Sequence, residues 1–172
     1  MKVVIVGGVA GGATAAARIR RLDEEAEIVV FERTGYISYA NCGLPYYIGG
    51  TIEDAEELTL QTPESFWKRF RVQMKVHHEV TAIHPERKTV SVKNLENAEE
   101  FEESYDKLLL SPGAKAVLPK ISGIGNEKLF TLRTVEDTFK IKKYIEEKKP
   151  KSVILAGGGF ISLELAENLR ES

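Results

Sequence analysis

The sequence predicts an α/β fold: a parallel sheet covered by helices, followed by the start of a second unit of the same kind. Three observations lead to this prediction. An apolar run at residues 3–6 passes through a glycine-rich turn into a helical pattern, and another apolar run follows at residues 28–31. The same succession of strand, glycine turn and helix returns at residues 152–169. Between them, short extended runs predict a small antiparallel β-meander inserted into the parallel sheet.

The composition excludes several classes of protein. Charged residues make up 29% of the chain and the net charge is −2, which gives no sign of a nucleic-acid or membrane-surface partner. No apolar run reaches the roughly 20 residues needed to cross a bilayer. Cys42 is the only cysteine of the sequence and cannot form an internal disulfide, so we expect a protein of a reducing compartment, the cytoplasm.

The N-terminus has two interpretations. Lys2 precedes an apolar run that ends in small residues, as in a secretory signal. That run contains four glycines, however, and the helical pattern continues through Arg18 and Arg21 past any cleavage point. We therefore favour a buried parallel strand at residues 3–6, a tight glycine loop, and a helix over about residues 11–22.

The first glycine loop matches a dinucleotide-binding pattern in part. Such a loop brings main-chain N–H groups at a helix start up to a pyrophosphate. Aligned to G-x-G-x-x-G, its positions are Gly7, Val9 and Gly12, so the middle glycine is missing. Glu32 ends the next strand 20 residues after Gly12, where an acidic side chain binds the ribose of an adenosine. The unit is predicted to bind an adenine dinucleotide, and a generic βαβ unit is the alternative.

Cys42 lies in the stretch that gives the sequence its chemistry, residues 38–46. A lone cysteine is most often a small buried apolar residue. Small and polar residues precede Cys42, and Pro45 fits the first turn of a short helix that starts at Leu44. A thiolate at such a position attacks disulfides and accepts electrons from a flavin. The nucleotide loops on both sides favour this redox interpretation.

The middle of the chain predicts two helices. Thr62 as N-cap and Pro63 in the first turn predict a helix over residues 63–70, in which Trp67 is expected in the core. A charged helix is predicted over residues 135–148. Acidic residues at 53–57 are expected to form a solvated loop or helix face.

Extended runs fill the part between these helices. They are predicted at residues 72–76, 79–83, 89–92 and 105–110. Within the last of these, residues 108–110 are expected to be a buried strand that leads into a glycine turn. No metal site is expected, because His77, His78 and His84 have no acidic or cysteine partners at ligand spacing.

The last part of the chain repeats the opening pattern. Residues 152–156 predict a buried strand, residues 157–159 a glycine loop, and residues 160–169 an amphipathic helix. Gly157 and Gly159 occupy the first two glycine positions of a second dinucleotide loop. We expect a first domain over residues 1–150 and the start of a second over residues 151–172. A strand and a helix alone do not close a domain, so we expect the N-terminal part of a longer protein.

Two dinucleotide loops 150 residues apart, with a cysteine after the first, resemble the FAD- and NAD(P)-dependent pyridine nucleotide-disulfide oxidoreductases. Residues 104–108, 111–113 and 131–137 match this family as well. Most members carry two cysteines after the first unit, and a single one is typical of the branch with coenzyme A disulfide reductase, NADH oxidase, NADH peroxidase and polysulfide reductases. Val9 and residues 38–46 are most similar to the coenzyme A disulfide reductases.

The resemblance implies a set of site residues. Cys42 would be catalytic, and it would form a mixed disulfide with coenzyme A. The residues implied for FAD and NADH or NADPH are Gly7, Gly8, Val9, Ala10, Gly11, Gly12, Glu32, Arg33, Val80, Ser111, Pro112, Gly113, Arg133, Gly157, Gly159, Phe160 and Ile161. The residues implied for coenzyme A are Thr14, Arg18, Arg21, Ser38 and Asn41; the first three are spaced to share a helix face.

The resemblance also implies a function. Hydride would pass from NAD(P)H to FAD, and electrons would pass on to the bond between Cys42 and its thiol partner. Relatives of this kind are homodimers with further C-terminal domains, so the fragment alone is expected to be inactive or nearly so. Two alternatives stay open: an NADH oxidase or peroxidase that uses a cysteine sulfenic acid, and a flavin-binding redox sensor or electron donor.

Overall fold

A computed structural model describes residues 1–171 of the chain, and its elements fall into two compact units. The elements in chain order are β1 (Lys2–Val6), α1 (Ala10–Leu22), β2 (Glu27–Phe31), α2 (Leu44–Gly49), α3 (Pro63–Phe70), β3 (Gln73–Lys75), β4 (His78–His84), β5 (Thr89–Asn94), β6 (Glu100–Ser104), β7 (Lys107–Leu110), α4 (Val135–Lys148) and α5 (Phe160–Glu171). The first unit comprises Met1–Tyr39 and Thr59–Gly113, and the second comprises Ala40–Leu58 and the chain from Ala114 onward.

The first unit is built on a four-stranded parallel sheet with the order β3–β2–β1–β7. Val4 of β1 pairs with Val29 of β2 on one side and with Leu108 of β7 on the other. Parallel strands all end at the same edge of their sheet. The glycine loop after β1, Glu32 after β2 and Ser111 after β7 therefore meet at one edge, where the candidate site forms.

Hydrophobic cores cover both faces of this sheet. On one face, Val3 and Ile5 pack with Ala13 and Ala16 of α1 and with Phe66 of α3. The other face packs against the antiparallel sheet through the buried residues Val4, Val29, Phe31, Val90 and Val92. Successive β1 residues alternate between the two cores, as the strand period of two requires. Each fully buried side chain of this size stabilises the fold by about 1.5–3 kcal/mol.

The antiparallel sheet has the order β4–β5–β6, so the predicted meander is present. The boundary after it differs from the prediction of one run over residues 105–110. β6 ends at Ser104 and β7 begins at Lys107, in a different sheet. Three glutamates and a single apolar residue, Phe101, make β6 hard to recognise by composition. It is a strand because it pairs with β5.

Arg20 joins the C-terminal ends of α1 and α3, and sequence analysis did not identify it. Its guanidinium donates hydrogen bonds to five main-chain carbonyl oxygens, those of Phe70, Asp23, Glu24, Ala26 and Arg71, at 2.6–3.2 Å. The planar guanidinium has five N–H groups, which suits it to such a cluster of acceptors. Arg20 thereby holds the turn into β2 against the end of α3.

Two residues expected to be buried are exposed. Trp67 is 49% exposed, because the apolar stripe of α3 consists of Phe66 and Phe70, four residues apart, and Trp67 lies off that stripe. Leu110 is 55% exposed at the end of β7, an edge strand of the parallel sheet. The predicted helix over residues 63–70 is confirmed, with a reciprocal capping box between Thr62 and Ser65.

The second unit is helical in its described part. α2 contacts α4 and α5, and the predicted helix over residues 135–148 is confirmed, with Thr134 as its N-cap. The prediction of a buried strand at residues 152–156 is wrong. These residues form no ladder with any described strand, and Ile154 is 92% exposed. An apolar run becomes a buried strand only where a neighbouring strand accepts its hydrogen bonds.

The predicted fold class is confirmed: an α/β fold with a parallel sheet, covering helices and a small antiparallel sheet. The division at residue 150 stays a prediction. Within the described residues, no helix combines the length and the apolar character that spanning a membrane requires.

Candidate functional site

The first glycine loop is a tight main-chain crossing that excludes side chains. Gly7 has φ +98°, a conformation that glycine adopts readily. A Cβ atom on Gly7 would overlap the carbonyl oxygen of Ser111, and one on Gly12 would overlap the carbonyl oxygen of Gly7. The first and third glycines of the pattern are thus required by close packing. Val9 replaces the middle glycine and is the residue before α1.

The start of α1 leaves main-chain donors for a ligand. Val9 precedes the helix with φ −95° and ψ −126°, and its side chain makes no capping hydrogen bond. The first N–H groups of a helix have no partner inside it. Together with the helix dipole they attract anions, a phosphate above all. The loop and the uncapped helix start therefore fit the pyrophosphate of a dinucleotide.

Glu32 is a buried carboxylate that closes the loop from the side of β2. It is only 6% exposed. Its Oε2 accepts a 2.8 Å hydrogen bond from the Gly8 N–H, and its Oε1 accepts hydrogen bonds from the N–H and hydroxyl of Thr34 at 2.9 and 2.8 Å. Three donors offset the cost of burying this charge. Oε2 accepts only one of these bonds, so it has a lone pair left for a ribose hydroxyl.

A cleft of about 120 Å³ opens beside Glu32. It brings together five predicted cofactor residues, Gly7, Glu32, Arg33, Val80 and Pro112. Sequence analysis did not assign Phe31, His78 and Glu79, which also line it. The arrangement follows from topology, because β4 starts next to the end of β2: the His78 N–H donates to the Glu32 carbonyl at 3.0 Å.

The turn after β7 completes this edge of the sheet. The Ser111 N–H donates to the Val6 carbonyl at 2.8 Å, which continues the β1–β7 pairing. The Ser111 hydroxyl approaches Gly11 so closely that a Cβ there would lie 2.5 Å from it. Gly113 has φ +70°. Of the predicted cofactor residues, Gly7 to Gly12, Glu32, Arg33, Val80 and Ser111 to Gly113 thus lie at one edge of the first unit.

The residues predicted to bind coenzyme A differ in their solvent exposure and in the unit to which they belong. Thr14, Arg18 and Arg21 are all exposed on α1, while Gly12, Ala13 and Ala16 form its buried side. Ser38 is half-buried, has φ +46°, and donates its N–H to the Gly8 carbonyl at 3.1 Å. Asn41 is half-buried in the second unit.

Cys42 is exposed, so the interpretation as a buried core thiol does not hold. It lies in a single 3-10 turn, Asn41–Gly43, that leads directly into α2. Pro45 occupies the first turn of α2, as predicted. Gly43 lies against Ile52 and Leu58: a Cβ there would come within 3.3 Å of each side chain. The thiol is accessible on a turn whose neighbours are packed.

The second glycine loop, at residues 157–159, precedes α5 as predicted. Gly157 has φ +116°, and a Cβ on Gly158 or Gly159 would meet no described atom within 4 Å. Phe160 and Ile161 are exposed, by 87% and 49%. Arg133 is exposed and donates its N–H to the Asp137 carboxylate at 3.1 Å. No cluster of metal-ligand type is found among the described side chains, those of residues 1–170.

Comparison with known proteins decides the family. The sequence profile of the pyridine nucleotide-disulphide oxidoreductases matches residues 1–172. The chain belongs to this family. Coenzyme A disulfide reductase of Staphylococcus aureus (strain NCTC 8325 / PS 47) is 49% identical over 170 residues, which are 99% of this chain and 38% of that protein.

Solved structures of pyridine nucleotide-disulphide oxidoreductase relatives have the same fold. The reduced Bacillus anthracis CoADR-RHD superimposes with a TM-score of 0.97 at 56% identity, and the NAD-dependent persulfide reductase from A. fulgidus with 0.94 at 37%. Both matches cover 99% of this chain, which spans 31% and 32% of those chains. The predicted resemblance to coenzyme A disulfide reductase is confirmed, while the roles of individual site residues stay predictions.

Two further residues lie at the candidate site beside Glu32. Thr34 donates two hydrogen bonds to Glu32, and its place two residues after the acid is a local signal that sequence analysis could have used. His78 lines the cleft, and its Nδ1 lies 2.6 Å from the Val76 carbonyl oxygen, an acceptor, so Nδ1 carries the proton. No sequence signal indicated His78, because the cleft forms only when β4 lies beside β2.

Proposed function

We propose that this chain is part of an FAD-dependent NAD(P)H:disulfide oxidoreductase that reduces coenzyme A disulfide through Cys42. The observation that carries the proposal is the exposed Cys42 turn directly before α2. It lies in a chain with two glycine loops and 49% identity to a coenzyme A disulfide reductase. The chain covers 38% of that relative, so the activity is proposed for the complete natural polypeptide that carries it.

FAD is proposed to bind at the edge of the parallel sheet. Gly7 to Gly12 would hold its pyrophosphate through main-chain N–H groups, and Glu32 would accept hydrogen bonds from a ribose. Val80, Ser111, Pro112 and Arg133 are proposed as further contacts. NADH or NADPH is proposed at residues 157–161, which makes residues 1–150 the FAD domain and residues 151–172 the start of the NAD(P) domain. When bound, these cofactors supply hydride and electron transfer, which side chains cannot provide.

Cys42 is proposed to act as the nucleophile. Its thiolate attacks one sulfur of coenzyme A disulfide, so a bond forms between Sγ and that sulfur while the disulfide bond breaks and one coenzyme A thiolate leaves. Return of the mixed disulfide to thiolate takes two electrons, which one NAD(P)H supplies. One NAD(P)H and one proton thus convert one disulfide to two thiols. Accessibility of the thiol is the first requirement for this attack, and Cys42 meets it.

Coenzyme A is proposed to bind through exposed cations and small polar groups. Arg18 and Arg21 project from the exposed side of α1, where guanidiniums form paired hydrogen bonds with phosphates. Thr14, Ser38 and Asn41 would add neutral hydrogen bonds. The family resemblance further supports a homodimer for the complete polypeptide, and the single cysteine supports a cytoplasmic location.

Mass spectrometry of the purified complete polypeptide tests this function. We expect an adduct of one coenzyme A on the Cys42 peptide, removed by excess NADH or NADPH and restored by coenzyme A disulfide. Sulfenic acid at Cys42 in place of the adduct would indicate oxidase or peroxidase chemistry instead. A thiol that stays unmodified under all three conditions contradicts a redox role for Cys42.

A further inference from the structure

α2 and α5 meet main chain to main chain at Gly49. A Cβ atom built on Gly49 would lie 2.7 Å from Asn168 Cβ and 2.8 Å from the Asn168 carbonyl oxygen. Distances below 3.0 Å are not found between real Cβ atoms and their neighbours, so glycine is the one residue that fits without movement. The glycine is therefore explained by contact with α5.

Asn168 presents a fixed surface to Gly49. It is 3% exposed, and its Nδ2 donates a 2.8 Å hydrogen bond to the Glu164 carbonyl one turn earlier in α5. A buried amide with a hydrogen bond of this kind does not change rotamer without losing its partner. The contact cannot be relaxed by rotation of an exposed side chain.

α4 holds α2 from another side. Lys142 Nζ donates a 2.8 Å hydrogen bond to the Tyr47 carbonyl oxygen and lies 4.0 Å from the centre of the Tyr47 ring. Phe139 meets the same ring edge-on, with ring centres 5.7 Å apart. α2 has only six residues, so these contacts and the Gly49–Asn168 contact hold its C-terminal half on two sides.

The segments that precede α2 and α5 are the two to which chemistry is assigned in the proposed function. The Cys42 turn leads directly into α2, and α5 begins directly after the glycine loop at residues 157–159. Asn168 is eight residues into α5, about 12 Å from its start at 1.5 Å per residue. We propose that the Gly49–Asn168 contact positions Cys42 and couples its reactivity to dinucleotide binding at residues 157–159. This inference rests on the proposed function, since it takes the dinucleotide site from it.

The physical reason is that close-packed main chains transmit displacement. In the proposed coupling, a pyrophosphate bound at residues 157–159 shifts α5 as a rigid element. The shift reaches α2 because packed interfaces move as units rather than by local compression. Because Gly49 has no side chain, no change of rotamer at this contact can absorb the shift, and α2 itself must move. Gly49 and Asn168 are positioning residues: in this proposal they act on Cys42 through α2.

The test compares Gly49→Ala with Gly125→Ala in the complete natural polypeptide. A Cβ on Gly125 would meet no described atom within 4 Å, so the control adds the same methyl group in open space. Each protein is first reduced with dithiothreitol, which is then removed, so that Cys42 is a free thiol. The Cys42 alkylation rate with iodoacetamide is measured by peptide mass spectrometry, with and without oxidised NAD⁺ and NADP⁺, and calorimetry gives their affinities. We expect dinucleotide to change the wild-type and Gly125→Ala rates by about fivefold or more.

In Gly49→Ala the ratio of the alkylation rates with and without dinucleotide should fall towards one. Dinucleotide affinity should stay within about twofold of wild type. Direct shielding of the thiol by dinucleotide would persist in this variant, so a full dinucleotide effect on the Gly49→Ala rate overturns the inference. An unchanged wild-type rate despite measurable dinucleotide binding also overturns it and leaves the proposed function intact. No binding of either dinucleotide contradicts both.

If Gly49→Ala does not fold, Lys142→Met gives the same readout without added bulk. It removes the hydrogen bond to the Tyr47 carbonyl and loosens α2 from the side of α4. We expect a reduced dinucleotide effect on Cys42 alkylation with unchanged dinucleotide affinity. A wild-type response in Lys142→Met would contradict the positioning of Cys42 through α2.

Discussion

The Glu32 carboxylate accepts a 2.8 Å hydrogen bond from the main-chain N–H of Gly8. This bond joins the end of β2 to the loop after β1, so one side chain shapes the loop and marks the predicted ribose position. The same carboxylate also accepts two hydrogen bonds from Thr34, so the buried group has three donors. The loop and the acid are thus parts of one structure, although 24 residues separate them in the sequence.

Glu32→Gln should weaken both the fold and flavin binding. The glutamine amide replaces an acceptor oxygen by an NH₂ group, which then faces the N–H of Gly8 or of Thr34. One buried donor is left unsatisfied, at a cost of about 1–3 kcal/mol. Chemical denaturation should show this loss, and flavin absorbance should show lower FAD content. Glu25→Gln, an exposed change just before β2, is the control; equal behaviour of the two variants would contradict this role of Glu32.

Gly12→Ala should lower stability and FAD content together. The new methyl group overlaps the carbonyl oxygen of Gly7, so the loop must shift away from α1. Overpacking of this kind costs about 1–3 kcal/mol, although alanine is otherwise favoured over glycine inside a helix. The measurements are the free energy of unfolding and the ratio of flavin to protein absorbance. FAD content equal to that of wild type would remove the loop from the proposed site.

Arg20→Ala should be among the most destabilising exchanges of an arginine in this chain. The change removes hydrogen bonds to five carbonyl oxygens, several of them part-buried. We expect a loss of about 2–4 kcal/mol in the free energy of unfolding, since hydrogen bonds to charged groups are strong. Arg21→Ala, one residue later and exposed, should stay within about 0.5 kcal/mol of wild type. Similar losses in both variants would assign no special role to Arg20.

Arg18 and Arg21 should determine substrate choice. If they bind the phosphates of coenzyme A, changing both to alanine raises KM for coenzyme A disulfide and spares small disulfides and polysulfide. Loss of one charge-assisted contact costs about 1.5–3 kcal/mol, or roughly 10- to 150-fold. Steady-state kinetics with both substrate classes measures the effect. Equal losses on every acceptor would show that the arginines serve the fold or the flavin.

Cys42→Ser should separate the two half-reactions. The variant should fold, keep FAD, and show normal flavin reduction by NAD(P)H in stopped-flow measurements, because that step does not involve the sulfur. Turnover of coenzyme A disulfide should fall by about three or more orders of magnitude, since a covalent catalyst is missing. Oxygen consumption is unsuitable as the assay, because a free flavin sustains it. If Cys42→Ser still turned over coenzyme A disulfide, Cys42 would have no catalytic role.

Local signals account for the features that sequence analysis predicted correctly. The helices over residues 63–70 and 135–148 have threonine N-caps, apolar spacing and, in the first, a proline at its start. β1 and β2 are apolar runs bounded by turn residues, and glycine spacing marks the loops. Each of these signals acts within a few residues, so a single sequence reveals it.

The errors concern burial and pairing. Trp67 is large and apolar, but the angle it occupies on α3 leaves it half in solvent. Residues 152–156 have the composition of a strand, but they pair with none of the described strands. β6 lacks the usual composition of a strand, but it pairs with β5. Whether a segment pairs depends on what lies beside it, and composition does not carry that information.

The sequence by itself determined the α/β class, the two glycine loops, the acid at residue 32 and the family, because these depend on residue type and spacing along the chain. Only the tertiary structure decided that Cys42 is exposed, that Glu32 bonds to Gly8, that Arg20 rather than Arg18 or Arg21 binds the main chain, and that Gly49 meets Asn168. Each of these facts is a contact or an exposure set by segments distant in sequence. Such contacts depend on how helices and sheets pack in space, which local periodicity does not specify.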